Sequence, residues 1–293
     1  MVTTKNLSSQ NKRPAVFLVG AGAMGGALLR GWLETGAIAS TSIVIDPSPS
    51  PSIGSLCDQY AIEIVSHGDA IDKNCQPDVQ VFAVKPQMAG GILPAFGRFA
   101  QGCVSISVMA GLRLARLESL LSGAEDGAGA SSDDLKIVRA MPNLPSNVGA
   151  GMTGLAATKT VSDTDKDCTS HLLNAVGASV WVRDDDAIDA VTAISGSGPA
   201  YLFLMAEALQ SAGEGLGLAP ETAEQLARQT IFGAGKMLSL DPRDAASLRE
   251  SVTSPGGTTA AALSRLDHPR DGLRPLVERA AIAARDRARD LAD

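Results

Sequence analysis

Aromatic side chains are scarce in this 293-residue chain: Phe, Tyr and Trp together make up 3%. That leaves few of the stacking platforms on which proteins hold single-stranded nucleic acid. Positive charge is also short, with 25 Lys and Arg against 32 Asp and Glu and a formal net charge of −7. Such a chain lacks the electrostatic footprint that draws proteins to nucleic acid or to an anionic membrane. Cysteine is limited to Cys57, Cys75, Cys103 and Cys168, none of them in a CxxC pair, and His67, His171 and His268 lie far apart. That spacing predicts neither a disulfide framework nor a metal site, but reduced thiols in a cytoplasmic protein. Long apolar runs are missing too. Pro14–Leu29, after Lys12-Arg13, has the outline of a signal peptide, but Gly20, Gly22, Gly25 and Gly26 break its apolar character. Ala190–Ala206 is interrupted by Ser195-Gly196-Ser197-Gly198-Pro199 and is too short to span a bilayer comfortably. A soluble chain without a transmembrane helix is expected.

What is present is core-forming material: 45% of residues are hydrophobic and 19% charged, in a length that suits about two domains. After a polar start, Met1–Pro14, short apolar runs alternate with helix-like segments up to about Arg183. Ala15–Val19, Ser42–Ile45, Val79–Val84, Cys103–Val108 and Lys136–Ala140 read as strands covered on both faces. Met24–Thr35, closed by Gly36, and Leu112–Leu121 read as helices between them. This alternation predicts a doubly wound α/β sheet. Met152–Ala157, a helix around Ser162–Val176, and Ala178–Val182 extend it at one edge, and the acidic, small-residue stretch Gly123–Asp134 reads as a surface loop.

Past Asp184-Asp185-Asp186 the strand signals stop. Ala187–Ile194, Ala200–Gly213, Pro220–Leu240, Pro242–Val252, Thr258–Leu266 and Gly272–Ala292 read as helices, and Pro220 and Pro242 suit a first turn. Only Asp189, Glu207 and Glu214 are charged within Ala187–Gly217. Helices this apolar need burial on most sides. In a small helical domain, the partner that supplies it is a second subunit. The chain is therefore divided into residues 1–183 and 184–293.

The strand Ala15–Val19 runs into Gly20-Ala21-Gly22-Ala23-Met24-Gly25, a helix follows, and the next strand ends in Asp46 about 20 residues beyond Gly25. A lone GxGxxG is weak, but this one stands in the strand–turn–helix setting that a Rossmann dinucleotide site requires. Gly20 permits the tight turn, Gly22 lets backbone approach a pyrophosphate, and Gly25 lets helix and strand pack closely. The helix start offers N–H groups and positive dipole to the phosphates. A carboxylate at Asp46 favours the ribose of NADH over the 2′-phosphate of NADPH; Ser48 and Ser50 beside it could donate to a phosphate, but no Lys or Arg follows before residue 73. Ala83-Val84-Lys85-Pro86, Met109-Ala110-Gly111 and Arg139-Ala140-Met141-Pro142-Asn143 end successive strands, where ligands of such sheets bind.

In the second half, Val252-Thr253-Ser254-Pro255-Gly256-Gly257-Thr258-Thr259 opens a helix. Glycines beside hydroxyls at a helix start can receive a carboxylate, although an ordinary helix entry has the same composition. Thr192 could likewise be a helical threonine bonded back to its own backbone.

Together these segments resemble the pyrroline-5-carboxylate reductase family. The resemblance runs in order through Val19–Gly25, Ala83–Gln87, Ala110-Gly111, Arg139–Asn143, Asp189–Thr192, Ser195–Tyr201 and Val252–Thr259. It implies reduction of L-1-pyrroline-5-carboxylate to L-proline by NADPH or NADH. It assigns the dinucleotide to Val19, Gly20, Ala21, Gly22, Ala23, Met24, Gly25 and Asp46, with Ala83, Val84, Lys85, Pro86, Ala110 and Gly111. Substrate falls to Ser254, Gly256, Gly257, Thr258 and Thr259, and Thr192 lies close to substrate and nicotinamide. It further implies a homodimer or a ring of dimers whose interleaved C-terminal helices complete each site. Met109, Leu144, Gly68-Asp69 and Ser251 depart from the family's pattern and bear on cofactor preference and affinity. A cyclic imine needs no protein nucleophile and no metal. Two other readings are a β-hydroxyacid dehydrogenase, for which Lys236 is the one lysine after residue 184, and a nucleotide sensor, which has no use for the Ser254–Thr259 loop.

Overall fold

A computed structural model describes residues 13–72, 74–123 and 134–292. Most of the polar start and of the Gly123–Asp134 insertion lies outside the described residues. The chain forms two compact units, one reaching Gly196 and resuming at Arg287, the other Ser197–Asp286.

The first unit is built on eight strands: β1 (Val16–Val19), β2 (Ile43–Ile45), β3 (Glu63–Val65), β4 (Val79–Phe82), β5 (Val104–Ser107), β6 (Lys136–Met141), β7 (Gly151–Ala157) and β8 (Gly177–Trp181). Their order in the sheet is β3-β2-β1-β4-β5-β6-β7-β8. Every pairing is parallel except β6 with β7, where Val138 faces Ala157. All four residues of β1 are buried, as a central parallel strand covered on both sides requires. Alternation sends Val16 and Leu18 into a core with Leu28, Trp32 and Leu172, and Phe17 and Val19 into a second core with Phe82, Phe96 and Phe99. Because β1 lies between β2 and β4, strand order reverses there, and the carboxyl ends of β1 and β4 border the crevice where such sheets take ligands. The doubly wound α/β sheet expected from the sequence is the observed fold.

Helix Pro51–Tyr60 and strand β3 were not expected from the Pro- and Ser-rich stretch that precedes them. Ser50 accepts the Ile53 N–H at 3.4 Å and Pro51 fills the first turn, so Ser-Pro here is a helix start rather than a loop. The change of composition at Asp184 does not coincide with the end of the first unit. Helix Asp185–Val191 stays with the sheet, capped by Asp184, whose carboxylate accepts the Ala187 N–H at 3.0 Å.

The second unit is helical: Gly198–Gly215, Pro220–Leu240, Ala245–Ser251, Thr258–Leu266 and most of Leu273–Asp290. The first two of these pack against each other, with Gly213 against Ala223. Among its described residues only Ala223, Ala227 and Leu248 are buried apolar side chains.

Candidate functional site

The glycine loop has the geometry its sequence predicts. Gly20 has φ +89°, and a Cβ there would meet Val84 Cγ1 at 2.8 Å and the Ala83 carbonyl oxygen at 3.0 Å. Glycine at 20 thus lets the loop lie directly on the end of β4. A Cβ on Gly25 would collide with the Gly20 carbonyl, so glycine at 25 seats the helix on the loop. Gly22 is different: nothing lies within 4 Å of where its Cβ would be. It is also the residue before helix Ala23–Thr35, whose start has no side-chain cap and no acidic residue in its first turn. That start is open to an anion.

A cavity of about 390 Å³ opens there, lined by Ala21, Gly22, Ala23, Gly26, Ala27 and Arg30 on one side. Asp46, Ser48, Ser50, Ser52, Ile53 and Asn147 line the rest. Asp46 accepts the Ala21 N–H through Oδ2 and the Ser48 N–H through Oδ1, each at 2.9 Å. The carboxylate therefore ties the glycine loop to the turn after β2. Arg30 and Asn147 were not singled out in the sequence. Arg30 was readable: Ala23, Gly26, Ala27 and Arg30 follow the spacing of one helix face.

At the next strand ends, Ala83 donates its N–H to Val19 at 2.8 Å, which brings the two predicted dinucleotide segments side by side. Lys85 is exposed and opens the short turn Pro86–Met88. Ala110 is exposed, and Gly111 has φ +80°. A Cβ on Gly111 would meet the Leu291 carbonyl oxygen at 2.7 Å, so the chain's last turn lies against this loop.

Beside the sheet, Arg139 on β6 is only 3% exposed and binds Asp185 Oδ1 at 2.6 Å and Asp189 Oδ1 at 3.2 Å. Asp189 is fully buried and also meets Arg113 at 3.2 Å. The Asp186 hydrogen bond leads the effects that raise the Arg113 pKa. This network holds helix Asp185–Val191 to β6. The helix then widens into a π-helical turn, Thr192–Gly196, a form frequent at functional sites. Asn143 fastens that turn, donating to the Ser195 carbonyl at 2.9 Å while accepting the Met152 N–H at 2.9 Å. Thr192 is half-buried, and its hydroxyl donates to the Ile188 carbonyl at 2.8 Å, leaving its lone pairs as acceptors.

In the second unit, Ser254 accepts the Gly257 N–H through its carbonyl at 3.0 Å, closing a tight turn in which Gly256 has φ +69°. Helix Thr258–Leu266 follows, entered through Gly257, again without a side-chain cap or an acid in the first turn. Ser254, Gly256 and Thr258 are exposed, and Gly257 and Thr259 are half-buried. Other helices contrast with this: Ser162 and Asp165 form a reciprocal capping box, and Asp244 caps Ala245–Ser251.

Two family models match the chain. One, described as pyrroline-5-carboxylate reductase dimerisation, covers residues 185–291; the other, NADP oxidoreductase coenzyme F420-dependent, covers residues 15–111. The chain is 36% identical to the pyrroline-5-carboxylate reductase of Pseudomonas aeruginosa over 96% of its own length and 97% of that protein. It is 38% identical to the Haemophilus influenzae reductase over 86% of its length and 89% of that protein. Among solved structures, the Coxiella burnetii pyrroline-5-carboxylate reductase matches with a TM-score of 0.86 at 34% identity, covering 96% of this chain and all of that one. The Plasmodium falciparum pyrroline carboxylate reductase with NADP bound matches with a TM-score of 0.76 at 29% identity, covering 96% and 98%.

Proposed function

The chain belongs to the pyrroline-5-carboxylate reductase family, and we infer that it is an NAD(P)H-dependent oxidoreductase reducing L-1-pyrroline-5-carboxylate to L-proline. One observation carries the chemistry. Each unit has a helix entered through glycine, without a side-chain cap or a first-turn acid: Ala23–Thr35 and Thr258–Leu266. The reaction needs two anion receptors, one for a dinucleotide's phosphates and one for a substrate carboxylate.

NADPH or NADH fits the first receptor, because the open space at Gly22 and the uncapped helix start suit a pyrophosphate. When bound, the cofactor supplies the hydride. The protein's part is positioning. Gly20, Ala21, Gly22, Ala23 and Met24 hold the phosphates, Asp46 fixes the loop that carries them, and Ala83, Val84, Lys85 and Pro86 extend the dinucleotide's bed. Ala110 and Gly111 flank it further on. Ser254, Gly256 and Gly257 form the turn that presents the Thr258 and Thr259 hydroxyls and the helix N–H groups to the substrate carboxylate. Fixing an imine ring against a hydride donor is worth up to about 7–11 kcal/mol in well-oriented systems. Thr192, whose hydroxyl donates to the Ile188 carbonyl, is assigned to the reacting end, and the π-helical turn beginning at Thr192 supports that role. An imine that carries a proton is already electrophilic, so no protein nucleophile is called for.

Residues 1–183 are assigned to the cofactor and 184–293 to substrate and self-association. The chain works as a homodimer, with a ring of dimers as the larger assembly. Four free thiols suit a reducing compartment, the cytoplasm. Among the described residues no helix is long and apolar enough to cross a membrane. The test mixes purified protein with pyrroline-5-carboxylate and NADPH or NADH and follows loss of reduced-cofactor absorbance together with proline formation. Absence of turnover with both cofactors rejects the assignment.

A further inference from the structure

The cavity beside the glycine loop has polar as well as small apolar lining. Arg30 lines it from helix Ala23–Thr35, and Ser48, Ser50 and Ser52 line it from the turn after β2. Ser50 is already engaged, accepting the Ile53 N–H and sharing a hydrogen bond with Ser52 at 3.0 Å. Arg30 is exposed and has no ion pair among the described residues. The nearest acid along the cavity wall, Asp46, has both oxygens on backbone N–H groups rather than on Arg30. An unpaired guanidinium that lines the same cavity as serine hydroxyls suits one chemical group. It offers a planar fork of donors to a phosphate monoester.

We propose that Arg30, with the hydroxyls of Ser48 and Ser52, receives the 2′-phosphate of NADPH, so that this one helix residue determines whether the chain accepts NADPH alongside NADH. The proposal rests on the dinucleotide reading of the cavity. It also reverses the weight that Asp46 alone would carry. At contact range an unopposed carboxylate repels a phosphate by about 1 kcal/mol in water and about 4 at intermediate screening. Arg30 brings a charge of the opposite sign to the same cavity and offsets that repulsion.

The test is calorimetric titration of the intact enzyme with adenosine 2′,5′-bisphosphate and with 5′-AMP, which differ only in the 2′-phosphate. Wild type should bind the bisphosphate about tenfold more tightly, as a charge-assisted hydrogen bond allows. Arg30→Ala should bring the two affinities within about twofold while leaving 5′-AMP unchanged, and Arg30→Lys should keep part of the preference. An affinity ratio that survives Arg30→Ala, or a wild type that does not distinguish the two nucleotides, overturns the proposal. Turnover with NADH in the same variants separates the readings: if it persists, the reductase assignment stands whatever becomes of Arg30.

Discussion

In the first unit Trp32, Phe17, Phe82 and Phe99 are fully buried on the two faces of the sheet, whereas in the second Leu202, Phe203, Leu204, Phe232 and Leu240 are each more than half exposed. The difference follows from architecture. A parallel sheet is covered on both faces by helices of its own chain. A few helices whose apolar stripes face outward have no such cover, and each Leu or Phe left in water forgoes about 1.5–3 kcal/mol. A handful of these side chains rivals the whole stability of a typical domain, about 5–15 kcal/mol. The exposed set falls in the segment that matches the family's dimerisation model, which points to self-association as its cover. An apolar surface that a second copy covers makes stability depend on protomer concentration.

The largest effect expected from this contrast comes from charging the apolar helices. Phe203 and Phe232 border one groove of about 690 Å³ between Gly198–Gly215 and Pro220–Leu240. Phe203→Asp with Phe232→Asp should give monomers in sedimentation, reduced helical circular dichroism and turnover lower by about 100-fold or more, since each buried carboxylate would cost several kcal/mol. A fully active monomer would break the comparison.

Next in size is Arg139→Met, which strips the buried Asp189 of its best-covered partner. Breaking such a pair costs about 3–5 kcal/mol. The loss should register in urea unfolding of the first unit, and Asp189→Leu in the same protein should restore part of it.

The two glycines of the loop sharpen the picture within the first unit. Gly25→Ala should cost about 1–3 kcal/mol by overpacking against the Gly20 carbonyl, seen as a lower melting temperature. Gly22→Ala, with open space around it, should melt like wild type but bind dinucleotide more weakly. Equal melting of the two would remove the distinction drawn between them.

Thr259→Ala should raise the substrate KM about tenfold, the loss of a hydrogen bond to a charged group, with cofactor affinity and melting unchanged. An unaltered KM would dismiss the carboxylate role of that helix start.

The smallest effect concerns pH. Burial raises the Asp165 pKa, but hydrogen bonds from Ser162 and Lys136 outweigh it and hold the carboxyl below its ordinary value. A carboxyl lowered by folding contributes stability in full above its unfolded value, near 4, and loses it as pH falls through the folded one. Asp165→Asn should cost about 1 kcal/mol at pH 7, and the difference from wild type should vanish in acid, as read from thermal melts.

Much of this was legible along the chain. Unbroken apolar runs marked the central strands, the glycines at 20, 22 and 25 marked a tight turn into an uncapped helix start, and uncharged helical segments marked an apolar surface left exposed within the chain. Helix Pro51–Tyr60 escaped notice because Ser-Pro reads equally as a turn. β7 and β8 were expected at the sheet edge, but periodicity carries no strand direction, so the antiparallel pairing of β6 with β7 was not foreseen. Asp46 was read as a ribose ligand, and its hydrogen bonds to Ala21 and Ser48 give it a structural task as well.

Alone, the sequence determined what depends on near neighbours along the chain: the central strands, the glycines at 20 and 25, and which half is helical. The tertiary structure decided which distant groups meet. Arg30 shares a cavity with Ser48 and Ser52, and Arg139 finds Asp189, because sheet order brings separate elements together. No local pattern encodes such meetings, since charge and hydrogen bonding act across space while periodicity records only position along the chain.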